Sequence, residues 1–176
     1  ISAVSVSGVS HEFSSIPGVK EDMINVFLNL KSVVLRSTSN ENKILHLNVK
    51  GPCVVTAGMI QSNNSIEVLN PDQVICTLSS AGSLEMELFC ENGRGYLPTT
   101  AVETNPALPA GAIRLDALFS PVKQVSYHVE HTRIGQATDY DKLIMNIETN
   151  GSIAPELAIG VAAKILQDQL QLFVNF

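Results

Sequence analysis

Apolar and polar residues alternate strictly over several short stretches of this chain, then give way at its end to a run with no alternation. Residues 3–7 alternate. So do Leu45, Leu47 and Val49 with His46, Asn48 and Lys50. Leu84, Met86, Leu88 and Cys90 alternate with Ser83, Glu85 and Glu87, and Val125, Tyr127 and Val129 with Gln124, Ser126 and His128. A period of two marks a strand with one buried face. Residues 54–57, 66–69 and 74–78 are further short strand candidates, separated by Asn63-Asn64 and Asn70-Pro71. Leu143, Met145 and Ile147 form the last strand. Gly51-Pro52 and Asn92-Gly93 read as strand ends. The polar stretches 37–42 and 134–140, and the proline-rich stretch 98–111, read as loops.

Two segments have helical spacing. After the break Ile16-Pro17-Gly18, residues 19–33 place Met23, Ile24, Val26, Phe27, Leu28 and Leu30 on an apolar face. Asp22, Asn25 and Asn29 lie opposite, and Glu21 and Asp22 fall in the first turn, where negative charge suits the helix dipole. The second segment starts at Pro155, a residue suited to the first helical position. It then runs about twenty residues, roughly 30 Å, without another proline. On a helical wheel Leu157, Val161, Ile165, Leu166, Leu170 and Phe173, with several alanines and Ile159 and Leu172, cover most of the circumference. Only Glu156, Gly160, Lys164, Asp168, Gln171 and Asn175 form a polar stripe. A helix lying on one sheet needs a single apolar face. This one predicts two buried faces, with either a second copy of the chain or the interior of one larger domain covering the second.

The pattern as a whole predicts an α+β protein. A strand-rich block gives way after Ser120-Pro121 to a strand–strand–helix block, which suggests two domains. Composition narrows the function classes. The 176 residues are 45% hydrophobic and 16% charged, as in a globular core rather than a disordered chain. A net charge of −6 argues against this chain being a main nucleic-acid contact, which needs a dense basic surface. Cys53, Cys76 and Cys90 are odd in number and widely spaced, which suits reduced thiols in the cytosol rather than a disulfide framework or zinc ribbon. No run reaches about 18 consecutive apolar residues, so no membrane span is expected. A chain that begins with Ile1 rather than Met reads as processed or partial.

Candidate chemistry is sparse. His128 and His131 have an H-x-x-H spacing, but it straddles a strand end, and solvated histidines are the simpler reading. Gly93-Arg94-Gly95 lacks the lysine and serine of a phosphate loop. Asp139 and Asp141 share a face if they lie on a strand, but in a polar loop they are solvated charges. There is no G-x-S-x-G nucleophile elbow. Lys31, Arg94 and Arg133 read as surface charges. No catalytic residue, cofactor-binding residue or metal ligand is expected.

Six stretches carry a resemblance: HEFSSIPGVKEDMINVFLNLK (11–31), GPCVVTA (51–57), GRGYLP (93–98), FSPVKQVSYHVE (119–130), TDYDKL (138–143) and ETNGSIAPELAI (148–159). In this order, over nearly the whole chain, they resemble the N-terminal domain of the α subunit of bacterial-type DNA-directed RNA polymerase. The resemblance implies a β-rich insert subdomain over residues 1–120. Residues 121–176 would form the C-terminal part of an α+β dimerisation subdomain, whose N-terminal strand and helix precede the chain's start. It implies a homodimer through the last helix and a platform for the large β and β′ subunits, which carry the active centre. DNA would be met only through the complex, in the cytoplasm or a plastid stroma, with no membrane and no cofactor in this chain.

Carried over by segment, Asn29 and Lys31, and Asp141 and Lys142, would face β or β′. Leu157, Val161, Ile165, Leu166, Leu170 and Phe173 would face the second copy. The chain departs from the family at Ala154, where a helix-capping aspartate is common, a difference of about 1 kcal/mol of helix stability. Gly160 inside the helix costs about as much again. The 98–111 stretch lacks the acidic cluster that some members present to activators. The family's linker and C-terminal DNA-binding domain are outside this sequence. Two other classes are kept in view: a stand-alone β-rich binding module with a dimerising helix, and a small hydrolase using His131 with Asp139 or Asp141.

Overall fold

The computed structural model describes residues 1–9, 11–62, 65–101, 108–109 and 111–174. The expectations for Asn63-Asn64, for Asn175 and for much of the 98–111 stretch lie outside the described residues. The chain divides into two compact units, Ile1–Ser120 and Pro121–Phe176.

The first unit is built on a four-stranded antiparallel sheet. Its order is β3 (Lys43–Lys50), β7 (Ser83–Cys90), β1 (Ala3–Val6) and β9 (Ile113–Arg114). The alternation in β3 and β7 meets in register: Leu45 lies opposite Leu88, Leu47 opposite Met86 and Val49 opposite Leu84. These six side chains therefore fall on one face, which is why Leu45, Leu47, Leu84, Met86 and Leu88 are at most 1% exposed. His46 and Glu87 pair on the outer face. Three two-stranded ladders complete the unit. They are β2 (Leu35–Ser37) with β5 (Ile66–Val68), β4 (Cys53–Thr56) with β6 (Val74–Leu78), and β8 (Tyr96–Leu97) with β10 (Ala117–Leu118).

Helix α1 runs Met23–Lys31, four residues shorter at its start than the pattern predicts. The reason is local. Gly18 has φ +86°, and Val19 bridges to Leu78. The Lys20 N–H donates to the Thr77 carbonyl, so the chain lies along β6 before it coils. Asp22 is therefore the N-cap, its Oδ1 accepting from the Asn25 N–H at 3.0 Å, rather than a first-turn residue. Glu21 lies outside the helix and takes the Thr77 N–H and hydroxyl at 2.7 and 3.0 Å. Desolvation pushes the Glu21 carboxyl up, but the Thr77 hydrogen bonds and the Lys20 charge outweigh it and leave it below its ordinary value. Met23, Val26, Phe27 and Leu30, at i, i+3, i+4 and i+7, are buried. Ile24 and Leu28, read from sequence as part of the same apolar face, are instead 43% and 54% exposed.

The second unit is one long hairpin and one helix. β11 (Val122–Ile134) pairs with β12 (Ala137–Thr149) up to the pair Ile134 and Ala137. The 134–140 stretch is thus not a loop. The strands run through it and close on a two-residue turn that begins with Gly135 at φ +61°. α2 spans Pro155–Val174, and the Ala154 carbonyl accepts from the Ala158 N–H at 3.0 Å. Every buried hydrophobic residue among the described residues lies in the first unit, the last being Ala117.

Candidate functional site

The sequence directs attention to three surfaces. The first is the C-terminal end of α1. Asn29 does not project freely: its Nδ2 donates to the Ile75 carbonyl at 2.9 Å and fixes the helix to β6. Lys31 Nζ lies 3.1 Å from Asp116 Oδ2, and Asp116 Oδ1 accepts from the Thr99 N–H at 3.0 Å. That backbone hydrogen bond, followed by the one from Lys31, holds the Asp116 carboxyl down to about 2. Beside this pair, Phe13, Ile24, Leu28, Lys31 and Arg114 line a cavity of about 260 Å³. Phe13 is 75% exposed there. This lining mixes exposed apolar side chains with Lys31, Arg114 and Asp116, as the rim of a protein-contact surface does.

The second surface is the hairpin. Its register places Val125, Tyr127 and Val129 opposite Ile147, Met145 and Leu143. One face is therefore an apolar strip, and Tyr127 on it is 71% exposed. The other face carries Glu130 opposite Lys142, with Nζ 3.6 Å from Glu130 Oε2. His131 and Asp141 pair at the distal end of the apolar face, Nδ1 to Oδ1 at 2.9 Å. The dyad considered for a hydrolase thus forms with Asp141, but His131 is 96% exposed. General-base catalysis needs an enclosed, positioned partner that an open strand does not supply. Residues three apart on a strand point to opposite faces, so His128 and His131 do not converge. His128 Nε2 lies instead 3.2 Å from Glu130 Oε1.

The third surface is α2. None of its described residues is buried. Leu157, Val161, Ile165, Leu166, Leu170 and Phe173 range from 47% to 73% exposed. Lys164 Nζ and Asp168 Oδ1 pair at 2.9 Å in the polar stripe. By length and composition alone, α2 is also long and apolar enough to cross a membrane, which a count of consecutive apolar residues does not register. A two-stranded hairpin alone is marginal in water, and a helix draws most of its stability from packing. The apolar surfaces of this unit therefore call for a cover that the described residues do not provide.

The glycines of Gly93-Arg94-Gly95 have a structural use. A Cβ on Gly93 would meet the Phe119 ring at 2.5 Å, and the Phe119 N–H donates to the Gly95 carbonyl at 2.8 Å. The stretch packs against Phe119. The three cysteines are free. Sequence reasoning missed Asp116, Thr99 and Phe13. Lys31 and Asp116 are 85 residues apart, and no local spacing links them.

Comparison with known proteins gives a consistent picture. Residues 4–120 match the family described as the RNA polymerase Rpb3/RpoA insert domain. The whole chain is similar to proteins named DNA-directed RNA polymerase subunit alpha. In Rickettsia africae (strain ESF-5) the identity is 55% over 177 residues, covering 100% of this chain and 52% of the relative. The α subunit of Rickettsia prowazekii (strain Madrid E) matches with the same identity and coverage. The chain thus spans about half the length of the curated relatives it matches.

Proposed function

As the chain belongs to the RNA polymerase Rpb3/RpoA insert-domain family, we propose that it acts as a non-catalytic assembly subunit of DNA-directed RNA polymerase. It contributes no reacting group to the nucleotidyltransferase. It works as a platform. α2 packs on a second α subunit through Leu157, Val161, Ile165, Leu166, Leu170 and Phe173. The end of α1, with Asn29 and Lys31, and the hairpin, with Asp141 and Lys142, face the large β and β′ subunits. DNA is met only through the complex, in the cytoplasm, at the nucleoid or in a plastid stroma.

The observation that carries this reading is the bare second unit: a 20-residue helix without one buried residue, beside a hairpin whose apolar strip is open. Each large aliphatic side chain removed from water there stabilises by roughly 1.5–3 kcal/mol, so a partner helix supplies what the unit lacks. A second copy satisfies this demand symmetrically.

The test is self-association. Leu166→Asp and Phe173→Asp each bury a charge without a partner in the seam, a penalty of several kcal/mol, and dissociate the dimer at low micromolar concentration. Retained dimerisation in both variants would show that α2 is not the seam. Partition into lipid vesicles instead of dimerisation would favour a membrane role for the same helix.

A further inference from the structure

Lys31 sits where the resemblance places a contact to a large subunit, yet its ammonium group is already engaged. It lies 3.1 Å from Asp116 Oδ2, and Asp116 uses its other oxygen to accept from the Thr99 N–H at 3.0 Å. One carboxylate therefore ties three elements together: the last turn of α1, the segment between β9 and β10, and the 3-10 turn Thr99–Ala101. Lys31, Thr99 and Asp116 line the same cavity as Phe13, Ile24 and Leu28.

We infer that Lys31 is a positioning residue: it acts through Asp116 to lock the end of α1 against the Thr99 turn, and so pre-organises the Ile24–Leu28 face for a large subunit instead of touching that subunit. This rests on the assembly-subunit reading.

Magnitude separates the two roles. The side chains of Lys31 and Asp116 are 36% and 32% exposed. A pair this open shifts an equilibrium by no more than about fivefold. Pre-organisation cannot return more than the lock itself contributes. A lysine desolvated across an interface against its own partner would instead weaken binding by roughly 30-fold or more when truncated.

The experiment is a double-mutant cycle on the complete α subunit, with assembly onto its native large subunits as the readout. Asp116→Asn keeps an oxygen for the Thr99 N–H but removes the charge facing Lys31. Lys31→Gln and Asp116→Asn each weaken assembly by about two- to fivefold. Lys31→Arg retains it, and Lys31→Gln adds less than twofold in the Asp116→Asn background. An equal loss from Lys31→Gln in both backgrounds would overturn the inference, because the lysine would then act without Asp116. A second measurement needs no partner. Asp116→Ala raises amide exchange at Thr99 about tenfold or more, since a hydrogen bond to a charged group is lost. Unchanged exchange there would also overturn it. Failure of the unmodified subunit to assemble would count against the function proposed above, and the exchange measurement would then decide the lock by itself.

Discussion

A Cβ placed on Gly18 would stand 2.4 Å from the Cα of Gly82. The two backbones touch where the entry to α1 crosses the turn before β7. Hydrogen bonds knit the crossing: Ser79 N–H donates to the Gly18 carbonyl at 2.8 Å, and Gly51 N–H to the Gly82 carbonyl at 2.9 Å. Gly18 also has φ +86°, which side chains disfavour. Gly18→Ala therefore combines backbone overlap with a left-handed penalty and costs about 3 kcal/mol or more. Gly8→Ala is the control. Its φ is +82° but nothing lies within 4 Å of its Cβ, so only the penalty of about 1–2 kcal/mol remains. Chemical denaturation of the two variants separates crowding from conformation, and equal losses would contradict the close crossing.

Leu88 is the centre of the first unit's sheet. It pairs with Val4 on one side and Leu45 on the other and is 0% exposed. Leu88→Ala is expected to cost about 2–5 kcal/mol through lost transfer energy and the cavity left behind. Leu118, 71% exposed, should tolerate alanine within about 0.5 kcal/mol. Urea midpoints measure both.

The Asp116 carboxyl titrates in the folded chain at about 2, against 3.8 when unperturbed. A depressed carboxyl stabilises the fold above its unfolded value, and that contribution disappears as pH falls through the folded one. The Thr99 amide should therefore stay protected from neutral pH down to about pH 4 and lose protection between there and about pH 2. Asp116→Asn should remove this acid-side dependence at Thr99. Protection that collapses near pH 6 in the unmodified chain would contradict the assignment.

Burial pushes the Cys76 thiol up to about 12, with smaller contributions from Glu21 and Cys53, and burial raises Cys90 as well. Only Cys53 is partly exposed. Because the thiolate is the reactive species, a thiol-specific aromatic disulfide at pH 8 should modify Cys53 first. Cys76 and Cys90 should react only after unfolding. Prompt labelling of all three in the native chain would contradict the burial of Cys76 in β6 and of Cys90 in β7.

Part of this architecture is legible because burial leaves a periodic trace. β3 and β7 alternate visibly because one face packs on the core, and Met23, Val26, Phe27 and Leu30 show the helical spacing of a buried stripe. The start of α1 is misread because residues 19–22 look helical in isolation, while Gly18 and Thr77 hold them against β6. The distal hairpin is misread as a loop because both faces are wet near Gly135, and a polar strand leaves no hydrophobic period. β8, β9 and β10 are two residues each, too short for any period to show. The lock at Lys31 is invisible for a different reason: it is made in space, between residues whose types alone say only surface charge.

The most direct measurement is affinity capture of the complete native subunit from its own cells, with intact masses of the proteins that come with it and an assay of DNA-templated RNA synthesis. A second α chain, two very large subunits and templated synthesis are expected in the captured material, all lost together when Leu166→Asp opens the α2 seam. A homodimer captured at gentle salt with no large partner and no synthesis would contradict it, and would leave a self-contained β-rich binding module with a dimerising helix.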